Sequence, residues 1–223
     1  MTARGGIGVF GGTFNPIHLG HLRAAEEVRE ALGLDEVRFV PSATPPHKEA
    51  DGLAPAADRL CMVELAIAGV SEFRASPVEL ERPGPSYSID TLRSLRAEVG
   101  PRRLVFLLGI DAFREFHTWK EHAAIFALCD VVVVTRPPWP EQLAPAEIPL
   151  AAREAFGYDL LSDSFRHASG HVLTIQRITA LDISAASIRA RVAADRSIRF
   201  LVPPTVAAYI AERGLYRQGD AAR

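Results

Sequence analysis

A glycine turn set between a strand and a helix constrains this 223-residue chain more than any other feature. Ile7 to Phe10 is short and apolar and reads as a buried strand. From Leu22 to Leu32, apolar Leu22, Ala25, Val28 and Leu32 recur at helical spacing. Between them runs Gly11-Gly12-Thr13-Phe14-Asn15-Pro16-Ile17-His18-Leu19-Gly20-His21. The two glycines let backbone amides approach a ligand closely. The helix start adds unpaired N–H groups and a partial positive charge, so the junction favours an anion. His18 and His21 stand three apart and can face one ligand there. Imidazoles in that position suit the charged oxygens of a phosphate chain. A metal role is the alternative, but no Cys or carboxylate group joins them nearby, and zinc takes three or four ligands. The stretch is neither the dinucleotide fingerprint nor a P-loop.

The rest of the chain predicts further strand ends on the same side. Glu36 to Val40 reads as a strand, followed by Pro45-Pro46-His47-Lys48 on a stiff loop. Lys48 there is a point-charge partner for a phosphate or, as local sequence favours, an ordinary solvated Lys. Asp58 to Val70 is amphipathic and helical, and Phe73 to Leu80 is extended, with Pro77 marking an edge. Ser88 is expected to cap a helix whose Leu92 and Leu95 face the core. Arg103 to Gly109 predicts a central parallel strand that presents Gly109 and then Asp111 at its end. Trp119 is either core or a plate for a flat heterocycle. Lys120 to Leu128 reads as a helix, and Asp130 to Thr135 as a buried strand ending at Arg136. Gly11, Lys48, Asp111 and Arg136, each at a strand's carboxyl end, point to one shared cleft.

Five prolines between Pro137 and Pro149 suggest that 137–169 is an irregular surface excursion, with a short helix over Ala151 to Phe156. His167 and His171 read as surface residues, and His171 to Gln176 as the last strand. Ser184 is expected to cap a helix that buries Ile188 and Val192 and carries Arg189, a second terminus suited to an anion. Its bland counterpart is a plain capped helix with a solvated Arg. Pro204 to Arg213 predicts a helix closed by Gly214, docked through Val206, Tyr209 and Ile210.

Composition narrows the class. At 48% apolar residues the chain can bury a sizeable core. A net charge of −2 speaks against a broad nucleic-acid or membrane surface. Cys61 and Cys129 lie in apolar stretches and read as small core residues of a reducing compartment. No run reaches membrane-span length, and no signal-peptide core precedes the first strand. A cytoplasmic protein without membrane or nucleic-acid partners is expected.

Gly12 to His21 fits the pattern G-x-F-x-P-x-H-x-G-H and resembles the nucleotidyltransferase superfamily. Over nearly its full length the chain resembles the bacterial nicotinate-nucleotide adenylyltransferase family. The resemblance rests on that stretch, on Pro45 to Lys48, and on Pro85-Ser86-Tyr87-Ser88 with Thr91-Leu92. It continues through Leu108 to Asp111, Phe116, Thr118 and Trp119, Arg136-Pro137, Ile183 to Ala185, Ile188-Arg189, Val206, Tyr209-Ile210 and Gly214-Leu215-Tyr216. It implies one domain over 1–223, with 181–216 a C-terminal helical part completing the ATP site. It implies a Rossmann-like α/β fold, a doubly wound mostly parallel sheet with C-terminal helices beside it.

The resemblance also implies the reaction: ATP and nicotinate mononucleotide give nicotinate adenine dinucleotide and pyrophosphate, in NAD biosynthesis. Mg²⁺ would be held through the ATP phosphates and by no protein metal site. His18, His21 and Arg189 would be catalytic and, with Ser184, hold phosphates. Gly11, Gly12 and Thr13 would line the nucleotide cleft, and Gly109 and Asp111 the ATP and ribose surroundings. Trp119 would stack on the pyridine, near Tyr87, and Ser88 would receive its carboxylate. His47, Lys48 and Arg136 would serve the acceptor side. ATP binding should favour the protonated form of at least one of the two His. Asn15, Ser88, Lys120 and Pro138 depart from the family pattern. Alternatives are another acceptor, such as nicotinamide mononucleotide or phosphopantetheine, an inactive nucleotide-binding regulator, and an RNA-binding module. Oligomeric state is left open, a homo-oligomer included.

Overall fold

Strands that are apolar along their whole length need cover on both faces, and that need sets the architecture. The computed structural model describes residues 5–45, 52–135, 156–159, 164–179 and 181–217. Its strands are β1 (Ile7–Gly12), β2 (Glu36–Pro41), β3 (Phe73–Ala75), β4 (Leu104–Gly109), β5 (Asp130–Thr135), β6 (Phe156–Asp159), β7 (Ser164–His167) and β8 (Val172–Arg177). They form one eight-stranded sheet in the order β3-β2-β1-β4-β5-β8-β7-β6. Pairing is parallel from β3 through to β8, and antiparallel between β8, β7 and β6. The helices are α1 (Leu19–Leu32), α2 (Ala56–Ile67), α3 (Ser88–Val99), α4 (Ile110–Arg114), α5 (His122–Ile125), α6 (Ala185–Ala193) and α7 (Pro204–Glu212).

Alternation along each strand sorts its side chains into two cores. Ile7 and Val9 of β1, Leu104, Phe106 and Leu108 of β4, and Val131 and Val133 of β5 meet Ile89, Leu92 and Leu95 of α3, together with Ile110, Phe113, Phe116, Ile125 and Phe126. On the opposite face, Val37, Phe39, Val105, Leu107 and Val132 meet Ala25 and Val28 of α1, Met62, Val63 and Ile67 of α2, Ile188 of α6, and Val206 and Ile210 of α7. The sheet is thus the doubly wound, mostly parallel one expected. Strand order reverses between β1 and β4, and in open α/β sheets ligands bind at such a point.

Local chemistry explains the boundaries. Gly33 closes α1 in the left-handed region, at φ 59°. Pro204 opens α7 at its first turn, where the missing N–H costs nothing. Asp58 of α2 accepts from the Tyr209 hydroxyl at 2.7 Å and pairs with Arg213 at 3.2 Å, which fastens α7 to α2. Among the described residues no helix is long and apolar enough to cross a membrane.

Several sequence expectations need correction. The α2 helix stops at Ile67, before Gly69 with φ 87°, and not at Val70. Only Phe73–Ala75 of the extended stretch pairs, at the sheet edge. Tyr87, not Ser88, is the residue before the first turn of α3. Lys120 to Leu128 is not one helix, because Glu121 adopts φ 48° and the helix spans only His122–Ile125. The 137–169 stretch contains the strands β6 and β7, so β8 lies inside the sheet. Phe156 belongs to β6, and 151–155 lies outside the described residues. His171 contacts the Asp130 carboxylate at 3.2 Å, His167 the Ser169 hydroxyl at 2.8 Å, and both are half-buried. Cys129 is buried, its thiol pushed up by burial and so inert, while Cys61 is half-buried.

Leu95 is fully buried between α3 and the sheet. Leu95→Ala should cost about 2–5 kcal/mol of stability, read as a lower urea midpoint at unchanged slope.

Candidate active site

The site starts at the carboxyl end of β1. Chain leaving Gly12 turns through Phe14, at φ 47°, and a cis Asn15–Pro16 bond before α1 begins. Phe14 is 2% exposed, and its ring packs on Phe10, Phe39 and the edge of His21. It fills the space a Cβ at Gly12 would need, 3.0 Å from its ring. His18 is the residue before the first turn of α1, in extended conformation, and is 6% exposed. Its backbone N–H donates to His21 Nδ1 at 3.3 Å. A neutral His21 therefore carries its proton on Nε2, as a donor. The two rings stack at 3.6 Å between centroids and 20° between planes. Gly20 makes room for this, since a Cβ there would sit 3.1 Å from His18 Nδ1.

Beside this corner lies a cleft of about 290 Å³. Gly11, Gly12 and Thr13 form one wall and Phe106 to Gly109 of β4 another, so the cleft opens where strand order reverses. Ser42, Ser86, Tyr87, Ser88, Ala112, Trp119, Lys120 and Glu79 complete it. Trp119 stacks at a tilt on Phe116, 5.3 Å between ring centroids, and still lines the cleft, so it is both core and wall. Lys120 Nζ lies 4.7 Å above the Tyr87 ring and 3.0 Å from Asp90 Oδ2. Ser86 and Thr44 exchange hydrogen bonds of 2.9 and 3.1 Å, joining the loop after β2 to the start of α3.

Two buried polar residues hold the loops around the site. Arg59 of α2 is completely buried. Its guanidinium donates to the carbonyls of Ala54, Thr13 and Ala43 at 2.9, 2.8 and 3.2 Å. Burial presses its proton affinity below the usual Arg value. Asn15, 7% exposed, donates to Gly52 O at 2.9 Å and accepts from Ala54 N–H at 3.1 Å and the Tyr216 hydroxyl at 2.7 Å. Its own carbonyl accepts from Arg189 of α6 at 2.9 Å. An Asp at position 15 could not donate to Gly52, which gives the departure a physical reason. Burial also pushes the Tyr216 hydroxyl up, so it stays a donor.

Sequence-predicted residues therefore fall into two groups. Gly11, Gly12, Thr13, Gly109, Tyr87, Ser88 and Trp119 share the cleft. His18, His21, Ser184 and Arg189 gather at the start of α1 and α6. Ser184 accepts from Ser187 N–H at 3.1 Å as the cap of α6, and the adjacent Ile183 carbonyl lies 3.9 Å from the Cβ position of Gly20. Asp111 is exposed on the first turn of α4 and does not line the cleft. His47, Lys48 and Arg136 lie outside the described residues. Sequence reasoning missed Arg59 and Glu79, and named Tyr216 only as part of the resemblance, without a role. A charged residue on the apolar side of an amphipathic helix was the available signal for Arg59. Among the described residues no three His, Cys, Asp or Glu side chains gather as a metal site.

The cytidylyltransferase-like family model matches residues 9–191. A protein of Geobacter sp. (strain M21) is 48% identical, over 94% of this chain and 97% of its own length. One of Syntrophotalea carbinolica is 46% identical, over 96% and 98%. Both are named "Probable nicotinate-nucleotide adenylyltransferase". The Plasmodium falciparum nicotinic acid mononucleotide adenylyltransferase complexed with NaAD superposes at TM-score 0.71 and 17% identity, over 96% of this chain and 98% of that one. At that identity the likeness is one of fold.

Arg59→Met removes the donor to three loop carbonyls, each costing about 1–3 kcal/mol if left buried without a partner. A loss of at least about 2 kcal/mol in urea unfolding is expected; an unchanged midpoint would mean that solvent replaces the guanidinium.

Proposed function

Because the chain belongs to the cytidylyltransferase-like family and, within it, to the nicotinate-nucleotide adenylyltransferases, we infer that it transfers the adenylyl group of ATP to nicotinate mononucleotide. A phosphate oxygen of the mononucleotide forms a bond to the α-phosphorus of ATP. The bond from that phosphorus to the β-phosphate bridge breaks, and pyrophosphate leaves. The product is nicotinate adenine dinucleotide, a step of NAD biosynthesis. The observation that carries this reading is the juxtaposition of an aromatic, hydroxyl-lined cleft with a histidine-bearing helix start at the reversal of strand order.

No nucleophile of the protein is needed, since the attacking phosphate is already an oxyanion. Catalysis is in-line positioning and neutralisation of charge on the α-phosphoryl and leaving pyrophosphate. His18, His21, Ser184 and Arg189 supply the donors. With His21 Nδ1 occupied by the His18 amide, His21 donates through Nε2. Two imidazolium ions stacked at 3.6 Å would repel by roughly 5 kcal/mol at an effective dielectric of 20. Gly11, Gly12, Thr13 and Gly109 admit the nucleotide closely, with Asp111 at the margin on the ATP side.

Trp119 stacks on the pyridine, Ser88 and the amides near Trp119 receive its carboxylate, and Tyr87 walls the ring. His47, Lys48 and Arg136 serve the acceptor side. A Mg²⁺ with few protein ligands, carried on triphosphate oxygens, fits a site without a cage of acidic or His side chains among the described residues. It would add positive charge where the leaving pyrophosphate gains negative charge. Residues 1–223 act as one domain whose 181–216 part completes the ATP end. The bonds from Arg189 and Tyr216 to Asn15 support that.

The deciding experiment is pyrophosphate release with ATP and Mg²⁺, comparing nicotinate mononucleotide, nicotinamide mononucleotide and phosphopantetheine. A clear preference for the first is expected; preference for another acceptor refutes the acceptor assignment. Trp119→Ala should raise KM for the mononucleotide about tenfold, a stacking contact's worth, and leave KM for ATP within about twofold. Gly20→Ala displaces His18 by a few tenths of an ångström and should lower kcat roughly tenfold, with KM for the mononucleotide little changed.

A further inference from the structure

Glu79 stands in the wall of the cleft, between β3 and α3, and is only 7% exposed. Its Oε1 accepts from the Thr91 hydroxyl at 2.6 Å. Its Oε2 is buried and meets no hydrogen-bond donor of the protein. Arg82, three residues on, donates through Nη2 to the other side of Thr91, at 3.3 Å from Oγ1, and its own Nη1 is buried without an acceptor, so the two side chains share Thr91 without bonding to each other. The cleft thus holds a carboxylate oxygen that has left bulk water and meets no hydrogen-bond donor among the described residues; the buried Arg59 guanidinium acts on this carboxylate through its charge alone. Such an atom is costly to bury, and a ligand that brings a donor to it removes the cost.

The wall around Glu79 identifies that ligand. Thr91 also reaches the Tyr87 carbonyl at 3.3 Å, so the carboxylate is tied to the turn that carries Tyr87 and Ser88. Those residues and Trp119 form the aromatic side of the cleft, where the proposed reaction seats the acceptor. At neutral pH the acceptor mononucleotide offers few donors. Its ring carboxylate and its phosphate are anionic acceptors, and its pyridinium nitrogen bears no proton. Only the two ribose hydroxyls can donate. We propose that Glu79 Oε2 accepts a hydrogen bond from a ribose hydroxyl of the acceptor mononucleotide; this rests on the adenylyl-transfer reading above. The same negative charge attracts the pyridinium and repels the ring carboxylate. It thereby turns that carboxylate away from Glu79 and toward Ser88 and the Lys120 ammonium.

The test compares nicotinate mononucleotide with its 2′-deoxy and 3′-deoxy forms on wild-type enzyme, Glu79→Met and Glu79→Gln. On wild type, one deoxy acceptor should show a KM raised about tenfold or more, the range of a hydrogen bond to a charged group, with kcat little changed. Glu79→Met should raise KM for the parent by a similar factor, leave KM for ATP unmoved, and use that deoxy acceptor as well as the parent. Glu79→Gln keeps the Thr91 bond and the shape of the wall. It should shrink the deoxy penalty at least about threefold, and it decides the question alone if the Met variant does not fold. Equal use of parent and deoxy acceptors by wild type overturns the inference, as does a deoxy penalty that persists undiminished in the Gln variant. Absence of turnover with the parent on wild type, by contrast, overturns the reaction itself.

Discussion

The Arg59 guanidinium is the fixed point of this molecule. It sits completely buried at the start of α2 and donates to three carbonyls from three separate stretches of loop. A buried cation is expensive unless its donors are satisfied, so its presence demands that those stretches converge. One of them is the turn after β1, where Thr13 presents its carbonyl to Arg59 and lines the cleft. Asn15 repeats the device one step further on, holding Gly52, Ala54, Tyr216 and Arg189 around itself. The glycine turn is free to approach a ligand because its neighbours, not its own side chains, define its path.

This scaffold separates two tasks. The sheet and its two cores fix where β1 and β4 end, and hence where the cleft opens. The polar hub then aligns the starts of α1 and α6, where His18, His21, Ser184 and Arg189 stand. The cleft side is aromatic and hydroxyl-rich, suited to a flat ring; the helix-start side is rich in N–H donors, suited to a phosphate chain. Transfer between a ring-bearing phosphate and a triphosphate needs both, a short distance apart.

Much of this was legible in the sequence, for local reasons. The apolar strands, the helix spacing and the phrase from Gly11 to His21 are properties of neighbouring residues, and the fold class follows from their order. What escaped was decided at long range. Asn15 meets Tyr216 across 201 positions and Arg189 across 174, so nothing near Asn15 announces its role. Arg59 stands on the apolar side of its helix, which marks it as unusual, but nothing local says which three carbonyls it holds. Glu79 lies in a stretch read only as extended, and Lys120 registered only as a departure. The strands β6 and β7 hid in a stretch where prolines dominate the local signal, because pairing with β8 outweighs local preference there. Tyr87 took the place assigned to Ser88 at the head of α3, within the one-residue ambiguity of helix ends.

The bond from Tyr216 to Asn15 has a consequence for the birth of the molecule. On the ribosome, β1, β2 and β4 can pair and be covered by α1 and α3 long before residue 216 has been made. Throughout that interval Asn15 has Gly52 and Ala54 for company but neither Arg189 nor Tyr216. The corner around Asn15 is thus made well before the residues that complete it. A nascent chain can therefore be folded in outline well before Arg189 and Tyr216 close on Asn15.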